Sequence, residues 1–240
     1  MEDLESKHYQ ELMALKKEYE EFVYIVSHDL KSPLRAIANI SSWIEDDLEG
    51  NDNAEIIANF SLMKGRVARL ESMMNALIEL SRVNRLELDQ YEVSIPELVK
   101  ECAAMATTTP NVSFHYRIEI EHEKVTTLAK KLEKVLFNLI ENAIQFHDKD
   151  KINIFIEIIE TNLAYEFAIR DDGPGIPEAV REKIFNIFYT VSAKDLVETT
   201  GAGLTICKKI VKLVGGTIEL VSGEGSGTTF KFSWPKEIVL

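Results

Sequence analysis

The chain has 240 residues, 45% apolar and 28% charged, a globular mix with room for one large or two small domains that excludes a disordered chain. Forty acidic residues against 27 basic ones leave a net charge of −13, which excludes nucleic acid as a partner: its phosphates would be repelled, and the basic pairs Lys130-Lys131 and Lys208-Lys209 form no stripe. No apolar run is long enough to span a bilayer and the N-terminus is too acidic for a signal peptide, so the chain reads as cytoplasmic, with no membrane contact of its own. Cys102 and Cys207 lie far apart without metal spacing and read as small core residues in a reducing compartment.

From about Glu2 to Leu48 the pattern predicts one helix. Leu12, Leu15, Tyr19, Phe22, Val26, Leu30, Pro33, Ile37, Ile40 and Ile44 recur at threes and fours, a heptad seam with a stutter around position 28. His28 falls between Val26 and Leu30, off the apolar stripe, so its ring is expected to face solvent. Asp29 beside it can hold one ring nitrogen and leave the other free as a nucleophile. Pro33 lacks an N–H and loosens or kinks the helix about one turn further on. After the turn Glu49–Asn53, a second helix is predicted from about Ala54 to Arg85, its seam carried by Ile56, Phe60, Met63, Val67, Leu70, Met74 and Leu77. Two such helices cannot bury both faces alone, and pairing two hairpins in a four-helix bundle does so; the alternative is a hairpin packed only on the C-terminal domain.

Leu86–Val93 is a linker or a first strand. A helix over Ile95–Thr107 opens with Ser94 as cap, Pro96 in the first turn and Glu97 three residues after the serine. Val112–Ile120 alternates like a strand, Thr127–Phe146 is an apolar helix, and Ile152–Ile159 with Ala164–Arg170 forms a hairpin. A loop over Asp171–Thr200 leads to a helix over Gly203–Val214. Strands Thr217–Ser222 and Thr228–Trp234 then flank the glycine-rich turn Gly223–Gly227. The expected fold class is α+β: a helical-hairpin domain over 1–86, then an α/β sandwich over 87–240 with helices on one face of a mixed sheet.

Four boxes stand in order: Phe22-x-x-x-Val26-Ser27-His28-Asp29-Leu30-Lys31-Ser32-Pro33-Leu34; Asn138-Leu-Ile-Glu141-Asn142-Ala143; Asp171-Asp172-Gly173-Pro174-Gly175; and Phe185, Phe188 and Tyr189 followed by Gly201-Ala202-Gly203-Leu204. From about residue 15 to the end, the chain resembles the sensor histidine kinases of two-component systems, whose ATPase domain is related to those of gyrase and Hsp90. The resemblance implies ATP and Mg²⁺ as cofactors and an ATP-dependent protein-histidine kinase. In that reading His28 takes the phosphoryl group, with Asp29 and Ser32 beside it. Asn142 holds Mg²⁺, an assignment suited to a hard amide oxygen. Asp171 accepts a hydrogen bond from the adenine amino group, which selects adenine over guanine. Asn138, Gln145, Gly173, Gly175, Phe188, Gly201, Gly203, Leu204 and Thr228 make up the rest of the implied nucleotide site. The implied partners are a response regulator receiver domain, which receives the phosphoryl group on an aspartate, and a second copy of the chain.

The sequence also departs from the family pattern. Gln145 stands where a phosphate-pairing lysine is usual, with His147 and Lys194 as candidate replacements, and Thr199 replaces the first glycine of the last box. These departures motivate an alternative, an ATP-binding scaffold with weak or no phosphotransfer. A third reading, a gyrase-type ATPase clamp, is opposed by the His28 helix. The chain can be the kinase core of a longer sensor, whose input is not encoded in these residues.

Overall fold

The structure, a computed structural model, describes residues 30, 33–37, 39–44, 53–83, 87–107, 110–191, 200–223 and 225–238. The chain divides into two compact units, Met1–Ala76 and Leu77–Leu240. In the first, the described residues 33–37 and 39–44 are helical (α1), and α2 runs over Asn53–Arg82 and on into the second unit. Ile40 and Ile44 of α1 are buried, as their seam positions require; on α2 the buried residue is Met73, whereas Phe60, Val67 and Met74 of the expected seam are about half exposed in the single chain.

The second unit is an α+β sandwich. Its sheet follows the order β2-β4-β5-β7-β6, built from Val112–Glu119, Ile152–Glu160, Ala164–Asp171, Thr228–Pro235 and Ile218–Ser222. Among the described strands the β2–β4 pair alone is parallel, with Val112 opposite Ile152. A parallel pair needs a long crossover, and the chain supplies one through β3 (Lys124–Thr127) and α4 (Ala129–Gln145). A smaller antiparallel ribbon joins β1 (Tyr91–Ser94) to β3. Helix α3 (Ile95–Ala106) begins as its sequence dictates: Ser94 Oγ accepts from Glu97 N at 3.4 Å, and proline sits in the first turn.

Alternation places Ile154, Ile156 and Ile158 of β4 on the inner face, with Phe167 and Ile169 of β5 and Phe230, Phe232 and Trp234 of β7. Phe167 and Phe232 stack with centroids 4.6 Å apart. Leu132, Val135, Leu136, Leu139 and Ile140 of α4, and Ile206, Ile210 and Val211 of α5 (Gly203–Leu213), complete the core. Cys102 and Cys207 are free and buried, and burial pushes each thiol up to about 12, so neither is a ready nucleophile.

The helix expected to begin at Thr127 begins at Ala129. Thr127 instead ends β3, where it pairs with Tyr91 and its hydroxyl accepts the Trp234 Nε1–H at 2.8 Å. Within the loop expected between β5 and α5, Glu178–Val180 and Lys183–Phe185 form short 3-10 turns.

Candidate nucleotide site

The C-terminal end of β5 turns the side chain of Asp171 inward, where it is 7% exposed. Its Oδ1 accepts from Gly173 N at 2.9 Å and from Thr228 N at 3.0 Å. Among the described residues Oδ2 accepts no hydrogen bond, so one buried carboxylate oxygen is left for a ligand N–H. Burial pushes the carboxyl above the ordinary aspartate range, and the two backbone N–H bonds pull it partly back.

Backbone surrounds this carboxylate because glycine permits it. A Cβ on Gly227, where φ is +78°, would lie 2.1 Å from Asp171 O; one on Gly175, at φ +76°, would lie 2.0 Å from Gly223 O. Gly225 N donates to Pro174 O at 2.7 Å, and Ile176 N to Ser222 Oγ at 2.8 Å. The β6–β7 turn and the Asp171–Pro177 loop are thus one interlocked cradle. Thr228 enters it through its backbone N–H and is 6% exposed. Sequence reasoning named the turn's glycines only as a turn, because their tight partners lie some 50 residues away and leave no local pattern.

On α4, Asn138 and Asn142 share a face four residues apart. Asn138 is 7% exposed and its Nδ2 donates to Gly203 O at 3.5 Å, which ties α4 to the start of α5. Asn142 is half-buried and Gln145 is exposed at the last residue of the helix. Gly203 and Leu204 open α5, whose N-cap, Ala202, gives no side-chain bond to the first turn. That leaves its N–H groups available to an anion.

Phe188 is 1% exposed and, at φ +63°, holds a conformation rare for a non-glycine residue. Its N–H donates to Gly201 O at 2.9 Å, while a Cβ on Gly201 would lie 2.6 Å from Tyr189 O. The Phe188 side chain is therefore core, and its link to the site is the backbone clasp with Gly201. Phe185 is half-buried, edge-on to Phe230 at 6.3 Å, with Lys208 Nζ 5.2 Å above its ring.

His147, a candidate stand-in for the missing lysine, is spent elsewhere: Nε2 lies 2.7 Å from Asp172 Oδ1 and the side chain is 1% exposed. His28, Asp29, Ser32, Lys194 and Thr199 lie outside the described residues.

Residues 127–238 match the family of histidine kinase-, DNA gyrase B- and HSP90-like ATPases. The chain is 34% identical over 226 residues to cyanobacterial phytochrome B of Nostoc sp., covering 93% of this chain and 30% of that protein. It is 30% identical over 232 residues to the methanogenesis regulatory histidine kinase FilI of Methanothrix harundinacea, covering 94% of this chain and 25% of the relative. The catalytic domain of histidine kinase ThkA superposes with a TM-score of 0.53 at 30% identity, over 62% of this chain and 98% of that one. ThkA in complex with response regulator protein TrrA matches in fold with a TM-score of 0.66, over 90% of this chain and 61% of that one, at 24% identity. The chain belongs to the histidine kinase family, and its C-terminal sandwich is that family's ATP-binding domain. It spans about a third or less of the two relatives.

Proposed function

We propose that this chain is the kinase core of a two-component sensor: an ATP-dependent protein-histidine kinase that phosphorylates His28 and passes the phosphoryl group to an aspartate of a response regulator receiver domain. The observation that carries the reading is Asp171, a buried carboxylate with Oδ2 uncommitted inside a glycine cradle. Oδ2 accepts the adenine amino N–H, whereas guanine would set its carbonyl against this oxygen. The N-terminus of α5 faces the phosphates. Among the described residues no group of three His, Cys, Asp or Glu side chains could enclose a metal ion. That fits Mg²⁺ held by Asn142 together with phosphate oxygens and water, since this ion keeps few protein ligands. When bound, Mg²⁺ neutralises charge on the phosphates.

A ring nitrogen of neutral His28 attacks the γ-phosphorus in line. An N–P bond forms, the bond to the β–γ bridging oxygen breaks, ADP leaves, and the ring proton passes to Asp29 and on to solvent. Ser32, four residues further along the sequence, is the hydroxyl assigned to hold a water near the phosphorylated ring. The helical hairpin within 1–86 dimerises as a four-helix bundle. In the single chain Phe60, Val67 and Met74, seven residues apart, are 47%, 50% and 54% exposed, which supports that reading. ThkA's complex with TrrA supports a response regulator as partner. No helix among the described residues is long and apolar enough to cross a membrane, which is compatible with a cytoplasmic core.

Incubation with γ-labelled ATP and Mg²⁺ is expected to give an acid-labile, alkali-stable label that is absent from His28→Gln. Label of equal amount in that variant would refute the assignment. ATP binding without label would favour the second reading, an ATP-binding scaffold. Its physical support is that Gln145 brings no charge and His147 is bound to Asp172.

A further inference from the structure

We infer that His147, acting through Asp172, is a positioning residue for the adenine-reading carboxylate Asp171. Strand alternation sends the two adjacent aspartates to opposite sides of β5: Asp171 inward, and Asp172 outward with 27% of its side chain exposed. The Asp172 carboxylate bonds to nothing in the rest of the nucleotide cradle, yet it is among the most heavily bonded carboxylates of the fold. Its Oδ1 accepts from His147 Nε2 at 2.7 Å and from Asn153 N at 3.0 Å, and its Oδ2 accepts from Asn153 Nδ2 at 2.9 Å. Lys149 Nζ donates to the Asp172 carbonyl and lies 3.7 Å from Oδ2.

The tautomer of His147 follows from its other contact. Lys149 N–H donates to Nδ1 at 3.1 Å, so Nδ1 presents a lone pair and the ring proton sits on Nε2, directed at Asp172. The imidazole is therefore locked at both nitrogens in one orientation. Its Cδ2 edge lies 3.4 Å from where a Cβ of Gly173 would stand, and Asp171 Oδ1 lies 3.0 Å from the same point. The ring edge thus stands where any side chain at residue 173 would meet it, beside the glycine whose N–H holds Asp171 Oδ1.

The consequence is mechanical. Asp171 is useful only if Oδ2 stays aimed while Oδ1 is pinned, and the pin includes Gly173 N. Asp172, tied to the end of α4 by His147 and to β4 by Asn153, fixes the backbone on which Asp171 and Gly173 sit. The sequence carries the components as neighbours of the glycine box and the asparagine box, but only the fold brings Asn153 and His147 to one carboxylate.

This inference rests on Asp171 reading adenine, and its test separates the two. In the 240-residue chain, affinities for ATP and for inosine triphosphate, in which a carbonyl replaces the adenine amino group, are measured by calorimetry. His147→Leu keeps the bulk and removes both ring hydrogen bonds. It is expected to weaken ATP about tenfold, the scale of one charge-assisted hydrogen bond, and inosine triphosphate much less, so that the ratio contracts. His147→Gln retains an N–H for Asp172 and should restore most of the ratio. A bystander that only stabilises the fold would lower the melting temperature and leave the ratio intact; an unchanged ratio in folded His147→Leu overturns the inference. If that variant does not fold, Asn153→Ala decides, because it removes the other side-chain anchor of Asp172. A contracted ratio supports the inference and an unchanged one overturns it. Asp171→Asn is run in parallel. Loss of preference there with full preference in the His147 and Asn153 variants defeats only the positioning role, while retained preference in Asp171→Asn defeats the adenine reading itself.

Discussion

Asp171 and Asp172 are adjacent carboxylates driven in opposite directions by their surroundings. Burial raises Asp171 above the ordinary value of 3.8. Partial burial also works against a charge on Asp172, but bonds from Asn153 and His147 outweigh it and hold the group well below the usual range. The raised group has a definite sign. The folded state binds the Asp171 proton more readily than the unfolded chain does, so ionising it costs stability as pH rises through the folded value. Under the function proposed above, binding runs the other way, because the adenine amino group needs the ionised acceptor. ATP affinity is therefore expected to fall on acidification at a pH above that of an ordinary aspartate, while Asp172 remains charged. Asp171→Asn keeps an oxygen for Gly173 and Thr228. It should leave the melting temperature unchanged or raised at neutral pH while ATP binding is lost; a variant that both melts earlier and still binds ATP would contradict this. Gly227 is a harsher case. Alanine there needs φ +78° and a Cβ 2.1 Å from the Asp171 carbonyl, so Gly227→Ala should cost at least about 2 kcal/mol in denaturant unfolding and abolish ATP binding. Asp171 was legible in the sequence because its box is local. The need for glycine at 227 was not, since it arises from an approach between strands.

At the scale of elements, two contacts tie the crossover to the sheet. Trp234, 1% exposed at the end of β7, donates its indole N–H to Thr127 at the end of β3, itself 3% exposed. Thr127→Val preserves shape and strands a buried donor, so it is expected to cost about 1–3 kcal/mol and to lower the melting temperature by several degrees. Glu160, the last residue of β4, gathers Lys236 Nζ at 2.7 Å, His122 N at 3.0 Å, Glu121 N at 2.6 Å and His122 Nδ1 at 3.1 Å. The Lys236 bond, followed by the backbone bond from His122, holds its carboxyl down to about 2 from an ordinary 4.5. A depressed acid contributes stability above its unfolded value and loses it as pH falls toward the folded one. The melting temperature should therefore drop between about pH 4.5 and 2 in the wild type, and Glu160→Gln should lack that part of the slope. The strands and helices around these contacts were readable from period and caps: the serine cap at Ser94 and the hairpin over β4 and β5 lie within a few residues of their expected places. Strand β3 was hidden because four residues carry too little alternation to register. Its last threonine also adjoins an apolar helix that periodicity alone extends backwards.

For the whole molecule the deciding quantity is what covers α2. Residues from Asn53 to Ala76 belong to the first unit, and the final turns are fastened within the second by Glu79 to Lys134 at 2.8 Å and by Lys209 Nζ to Leu80 O at 3.0 Å. Along the earlier part, Phe60, Val67 and Met74 repeat every seven residues, half exposed, while Met73 beside them is 2% exposed. A helix with one stripe buried and a second apolar stripe open to water has a partner still to find, and an exact heptad spacing favours another helix over a flat surface. Because each is only about half exposed, burying three such side chains in each of two copies yields about half of the roughly 1.5–3 kcal/mol of full burial apiece, a gain on the scale of the entropy of association, to which the rest of the helix face must add. Val67→Glu places a charge in the middle of that stripe without touching the sandwich. The variant is expected to sediment as a monomer where the wild type sediments as a dimer, and to bind ATP with unaltered affinity. If one copy phosphorylates His28 of the other, the monomeric Val67→Glu variant gives little label, whereas phosphorylation within one copy leaves the label per chain unchanged. A wild-type chain that sediments as a monomer at micromolar concentration would instead mean that the stripe is covered by a segment other than its own copy, and the dimeric reading would fall.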